Sequence, residues 1–148
     1  GANSSYKSVI KNFFSSIEKA DAKKMLKIYP DEVLERLEEE YDDMDELIEE
    51  MEDMLDDLLD EAEDEFGKNI KFTFEIEDEN ELDEDEIEDL MDYYDDYMDV
   101  DLEIKKAYEL ELEVTVEGKK DDDSTDMTFV VIKVGSKWYI DVTSMSLF

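Results

Sequence analysis

Leu102-Glu103-Ile104-Lys105-Lys106-Ala107-Tyr108-Glu109-Leu110-Glu111-Leu112-Glu113-Val114-Thr115-Val116 is the longest alternation in the chain. Leu102, Ile104, Tyr108, Leu110, Leu112, Val114 and Val116 hold even positions, interrupted only by Lys106. A period of two places them on one face of a strand, whereas a helix repeats every 3.6 residues. A strand of this length has to bend, and a bulge is expected at Lys105-Lys106-Ala107.

The elements on either side follow from the same patterning. Downstream, Gly118 to Asp126 reads as a polar hairpin loop, Met127 to Val134 as a strand, Gly135-Ser136 as a tight turn and Lys137 to Val142 as the last strand. Upstream, Leu82 to Tyr97 has helical spacing through Ile87, Leu90, Met91 and Tyr94, with Asp83 or Asp85 as its cap. Before it, Ile70, Phe72, Phe74 and Ile76 alternate with polar residues as a half-buried strand.

The first 67 residues are helical in pattern. Val9, Ile10, Phe13, Phe14 and Ile17 recur at three- and four-residue steps. Asp21 can cap a short second helix that must stop near Tyr29, because Pro30 disfavours helical geometry in the residue before it. Asp31 is then expected to cap a third helix.

From Leu34 through Leu37, Tyr41, Met44, Ile48, Met51, Leu55, Leu58 and Ala62 the apolar residues keep heptad steps. One helix from Asp31 to Phe66 would run about 54 Å. A compact domain of this length is only about 40 Å across. A break at Tyr41-Asp42-Asp43-Met44-Asp45, with Asp45 starting a new helix and Gly67 closing it, resolves the mismatch. A dimeric coiled coil is the alternative, but acid at most e and g positions would repel across its seam.

Charge is distributed unevenly. Of 148 residues 49 are acidic and 15 basic, a formal charge of −34. Residues 31–104 carry 38 acids against Arg36, Lys68 and Lys71, while residues 1–30 are net +4. Phosphate-binding surfaces need clustered Lys and Arg, so nucleic-acid binding is excluded from the expected functions. Histidine and cysteine are absent, which removes imidazole and thiolate catalysis and the usual zinc ligands. At 41% hydrophobic and 11% aromatic, the chain can still bury a core, and a single domain over 1–148 is expected, with residues 1–5 as a flexible tether. No apolar run reaches the ~18–20 residues that span a bilayer, so direct membrane insertion is not expected.

Small motifs add little. Ser8-Val9-Ile10-Lys11 matches a penicillin-recognising pattern without its companion motifs. Asp121 to Asp126 resembles the start of a calcium loop, but Asp126 stands where Gly is needed and Ile132 where the bidentate acid belongs. A solvated hairpin tip is the simpler reading. The eight methionines, Met145 among them, read as gap-filling core residues.

Helices followed by a mostly antiparallel sheet of bent strands define an α+β fold. Three details carry a family likeness: the step Lys19-Ala20-Asp21-Ala22-Lys23-Lys24-Met25, the following Tyr29-Pro30, and the closing Gly135-Ser136-Lys137-Trp138-Tyr139-Ile140-Asp141. On these the chain resembles the nuclear transport factor 2-like (cystatin-like) superfamily, and within it acidic lipoprotein domains of Gram-positive gut bacteria.

The resemblance implies N-terminal helices packed on a curved sheet that closes into a cone. The open end of such a cone can hold a small apolar ligand, with Phe14, Tyr29, Phe72, Tyr108 and Trp138 as expected lining. It also implies an extracellular or cell-surface setting on a lipid anchor. Enzymes of the superfamily use a buried Asp with Tyr, or an Asp–His pair. Asp141 beside Tyr139 is the nearest match, yet their alternation with Trp138, Ile140 and Val142 places both on the solvent face. No catalytic residue, metal or cofactor is therefore assigned.

The expectation is a non-enzymatic binding or scaffolding domain, monomeric or homodimeric; a cone-pocket enzyme and an acidic module for cations or a basic protein are the alternatives. Crowded carboxylates in the middle segment are expected to have raised folded-state pKa values. Stability should then rise on acidification between pH ~6 and ~4.

Overall fold

The computed structural model describes residues 1–141 and 143. Helix α1 (Tyr6–Lys19) starts at Ser5, whose hydroxyl accepts the Ser8 amide, and buries Val9, Ile10, Phe13 and Phe14. Asp21 caps α2 (Ala22–Met25) by accepting the Lys24 amide at 3.1 Å, and a 3-10 turn (Leu26–Ile28) leads to Tyr29 and Pro30. The expected tether is tied down. Asn3 donates to the Lys27 and Trp138 carbonyls, and its own carbonyl accepts the Trp138 amide.

Two caps lie elsewhere than the sequence suggests. Asp31 is the first helical residue of α3 (Asp31–Glu39), and Pro30 holds the cap position, its carbonyl accepting the Val33 and Leu34 amides. Proline fixes an extended entry there, and Asp31 acts on the helix dipole from inside the first turn. The break after α3 falls where expected. Helix α4 (Met44–Phe66) is capped by Asp43 instead of Asp45, with the Glu46 amide 2.9 Å from the Asp43 carboxylate. At 23 residues it is about 35 Å long, which fits a compact domain.

Strands β1 (Lys71–Glu81), β2 (Ile104–Glu117), β3 (Asp122–Val134) and β4 (Lys137–Ile140) form an antiparallel sheet in the order β1-β2-β3-β4, with helix α5 (Glu84–Met98) between β1 and β2. The architecture is α+β. The bulge expected in β2 lies between Ile104 and Lys106, and a second one interrupts β1 between Ile76 and Asp78.

Two strands outrun their apolar patterns. The stretch Asp122 to Asp126, expected in a loop, belongs to β3 and pairs with Glu113–Glu117, leaving a short connection at 118–121. Backbone pairing and a 2.7 Å hydroxyl contact between Thr115 and Ser124 hold it extended, with both faces open to water. Likewise β1 continues past Ile76 to Glu81 by pairing with Tyr108–Glu111, and its acidic residues blunt an edge strand. The last strand ends at Ile140, with Asp141 already outside it, short of the expected Val142; Val142 and Met145 lie outside the described residues.

Residues paired across strands share a face. Phe74, Leu112, Leu110, Phe129 and Val131 thus line the face under the N-terminal helices. Ile104, Ala107 and Ile132 lie on the opposite face and are equally buried. Helix α5 packs against β2, so one end of the sheet is covered on both sides.

Helix α5 begins with a full capping box: the Asp83 carboxylate accepts the Glu86 amide at 2.9 Å, and the Glu86 carboxylate accepts the Asp83 amide at 3.1 Å. Asp83→Ala is expected to cost about 1 kcal/mol, read as a lower urea midpoint at an unchanged slope. An unchanged midpoint would show that packing alone holds this end.

Candidate functional site

The five aromatic residues expected around a cone do not gather in one place. Phe14 is buried with its ring stacked on Phe72 at 5.3 Å, and 5.9 to 6.0 Å from Phe74 and Phe129. Phe13 closes the group at 5.1 Å from Phe14 and 5.5 Å from Phe129. Phe72 pairs with Val116, eight residues along β2 from Tyr108, or about 26 Å.

Tyr108 and Trp138 sit together at that distant end, 5.8 Å apart, and Tyr6 touches both at 5.4–5.5 Å. Lys106 and Lys133 lie over the Tyr108 and Trp138 rings at 5.8 and 5.9 Å. The Tyr6 hydroxyl donates to Glu79 at 2.6 Å, and this bond, with partial burial and the Glu79 charge, pushes its phenol up to about 12. Tyr29 is buried after the 3-10 turn, where loss of hydration raises its phenol pKa.

Asp141 requires a correction. It is 1% exposed instead of solvent-facing, and Tyr139 is half-buried. Its carboxylate accepts the Tyr94 hydroxyl at 2.5 Å, the Thr143 hydroxyl at 2.7 Å and the Thr143 amide at 3.2 Å. The alternation in β4 is real, but α5 covers the face that alternation assigned to water. Tyr94 is the only residue of α5 buried completely, so the bond joins α5 to the end of the sheet.

The exterior is acidic on every element from α3 to β1 and α5. Helix α5 carries eight acids and no base, and neither α4 nor α5 has a basic residue in its last turn, where a cation would suit the helix dipole. For α4 the deficit is met by the 118–121 connection: the Lys120 and Asp121 amides donate to the Phe66 carbonyl and the Lys119 amide to that of Lys68. The α5 end has Asp95, Asp96 and Asp99 instead.

On the outer sheet face, Glu77 at the β1 bulge, Glu113 and Asp126 bring carboxylate oxygens within 4.8 Å of one another. Loss of hydration, the charges of Asp126 and Glu113, a hydrogen bond with Asp126 and the charge of Glu111 all raise the Glu77 pKa. Because Glu77 is exposed, the like charges are the more secure cause. A folded-state pKa above the unfolded one means the native protein binds this proton more tightly, so stability rises as pH falls through the folded value and levels off near ~4.3. Glu77→Gln is expected to raise the melting temperature at pH 7 and to lose that advantage towards pH ~4.3. An equal effect at both pH values would remove repulsion as its cause.

Among the surface grooves formed by described residues, four stand out. One of about 280 Å³ joins Glu32, Glu35 and Arg36 of α3 to Asp99 and Asp101. Two more, of about 410 and 300 Å³, share Asn69 and Lys71 and reach Glu63 on one side and Lys119 on the other. The fourth, about 480 Å³, lies between α5 and β2 over Ile87, Met91 and Ile104.

None of these four is lined by Phe14, Tyr29, Phe72, Tyr108 or Trp138. The Ile87–Met91 spacing and its flanking acids are visible in the sequence, but no local signal indicates that Ile104 forms the facing wall. No helix among the described residues is long and apolar enough to cross a membrane. No protein-family model, no curated protein and no solved structure matches the chain.

Proposed function

We propose that the protein is a non-enzymatic binding module whose acidic exterior receives a cationic protein partner. The carrying observation is the uncompensated α5: eight acids, no base, and acids at its negative dipole end, a local arrangement that costs stability and is relieved by a bound cation. Of the aromatic residues expected around a cone, Phe14 and Phe72 belong to one group and Tyr108 and Trp138 to another, which favours surface recognition over capture of a small apolar molecule in a cone. Helices α1 to α4 ahead of an antiparallel sheet, with α5 between its first two strands, are compatible with the nuclear transport factor 2-like superfamily. On that resemblance we extend the proposal to a lipid-anchored domain at the cell surface, which the complete gene would test by encoding, or lacking, a signal peptide with an anchoring Cys.

The binding proposal is tested with labelled peptides of matched length that are cationic, neutral or anionic, titrated at ~0.15 M salt. Saturable binding of the cationic peptides alone is expected, weakening as salt rises. If no cationic peptide binds at that ionic strength, the proposal is wrong.

A further inference from the structure

The groove between α5 and β2 combines an acidic lining with an apolar one. Ile87 and Met91, one turn apart on α5, face Ile104 at the start of β2 across about 480 Å³. Ile87 and Met91 are half-buried against the core, and α5 as a whole buries only Tyr94 completely. A helix seated for its own stability normally hides its apolar stripe against the core. Here the stripe packs on the core, yet Ile87 and Met91 keep part of their surface in the groove.

Glu84, Glu88 and Asp92 line the same groove at four-residue steps. They rise along one wall over about 12 Å. Carboxylates in such a row do not converge on a point, as the six to eight oxygens around calcium must. They suit several cationic side chains presented in sequence.

Resting on the acidic-surface reading above, we infer that this groove is the docking site for a partner segment in which apolar side chains alternate with Lys or Arg. Apolar residues would fill the space over Ile87, Met91 and Ile104, while the cations align with Glu84, Glu88 and Asp92. Charge selects this occupant. The groove's single cation is Lys105, and a second copy bringing its own α5 would set eight acids against eight. The tilted Tyr93–Tyr97 ring pair, with Tyr97 76% exposed, falls on the opposite flank of α5 at 100° per residue and lies outside the site.

The test uses an amphipathic Lys/Leu peptide and an oligolysine of equal length, each titrated into the full chain and its variants. Glu88→Lys with Asp92→Lys is compared with Glu52→Lys and Asp56→Lys, exposed on α4 at the same spacing and with the same change in net charge. The Lys/Leu peptide is expected to bind wild type about tenfold more tightly than oligolysine. It should lose about tenfold or more in the α5 variant and less than about threefold in the α4 variant.

Met91→Gln should weaken the Lys/Leu peptide and leave oligolysine unchanged, which charge alone does not explain. Melting curves check that each variant is folded. Equal losses in the two double variants, or equal affinity of the two peptides for wild type, would overturn the groove and leave the acidic-surface reading standing. Failure of every cationic peptide to bind would overturn both. Sedimentation showing self-association that vanishes in the α5 variant would assign the groove to a second copy and likewise overturn the inference.

Discussion

Phe14→Ala is expected to lower the unfolding free energy by about 3–5 kcal/mol, among the largest effects of any single truncation in this chain. The ring is 4% exposed and contacts Phe13, Phe72, Phe74 and Phe129, so removing it forfeits both transfer free energy and four ring contacts around a void. A domain of this kind is stable by only about 5–15 kcal/mol, so the variant should unfold well below wild type in urea. Tyr97→Ala provides the comparison, since a 76% exposed ring should cost less than about 0.5 kcal/mol. A Phe14→Ala loss below about 1.5 kcal/mol would mean that the ring borders an existing cavity, and a small apolar ligand for this part of the fold would have to be considered again.

The second large effect belongs to Gly118→Ala. A methyl group there would overlap the Phe66 carbonyl oxygen and stand 2.7 Å from that of Gly67, both backbone atoms at the end of α4. No side-chain rotation relieves such a clash, so the 118–121 connection would have to lift from the helix end. Its amides would then no longer donate to Phe66 and Lys68.

The expected cost is about 3 kcal/mol, or a fall of about 10 °C in melting temperature. Faster hydrogen exchange should appear at the Lys119 and Lys120 amides. Gly135→Ala is the control: at φ +63° with open space around it, alanine meets only the left-handed backbone cost of about 1 kcal/mol. Equal losses in the two variants would show that the hairpin connection does not brace α4.

Neither the Phe14 cluster nor the Gly118 contact is legible in the sequence, because each joins segments far apart in the chain. The β2 alternation, the bulge near Lys105, the break after α3 and the Asp83 cap of α5 are all written within a few residues of where they act. Periodicity and capping are local properties, and local sequence reports them. The cap of α4 is two residues from its expected place because several acids in a row each offer a suitable side chain, whereas at α3 Pro30 takes the cap position through its backbone alone. The strand character of Asp122–Asp126 is hidden for a different reason: a segment solvated on both faces has no apolar alternation to betray it, and its partner across the hairpin holds it extended.

By itself the sequence determined the α+β class, the helical first part of the chain, the further helix between the first two strands and the acidic composition of the exterior, because these follow from period and composition. Only the tertiary structure decided which faces are dry. Laying α5 over one end of the sheet buried Asp141, Ala107 and Ile132 on a face that alternation alone gives to water. The same placement brought Ile104 opposite Ile87 and Met91 to make the acid-walled groove. Burial depends on what a chain segment is packed against, and for α5 that neighbour is a strand that continues through Tyr108 and beyond, reached only after the helix has ended.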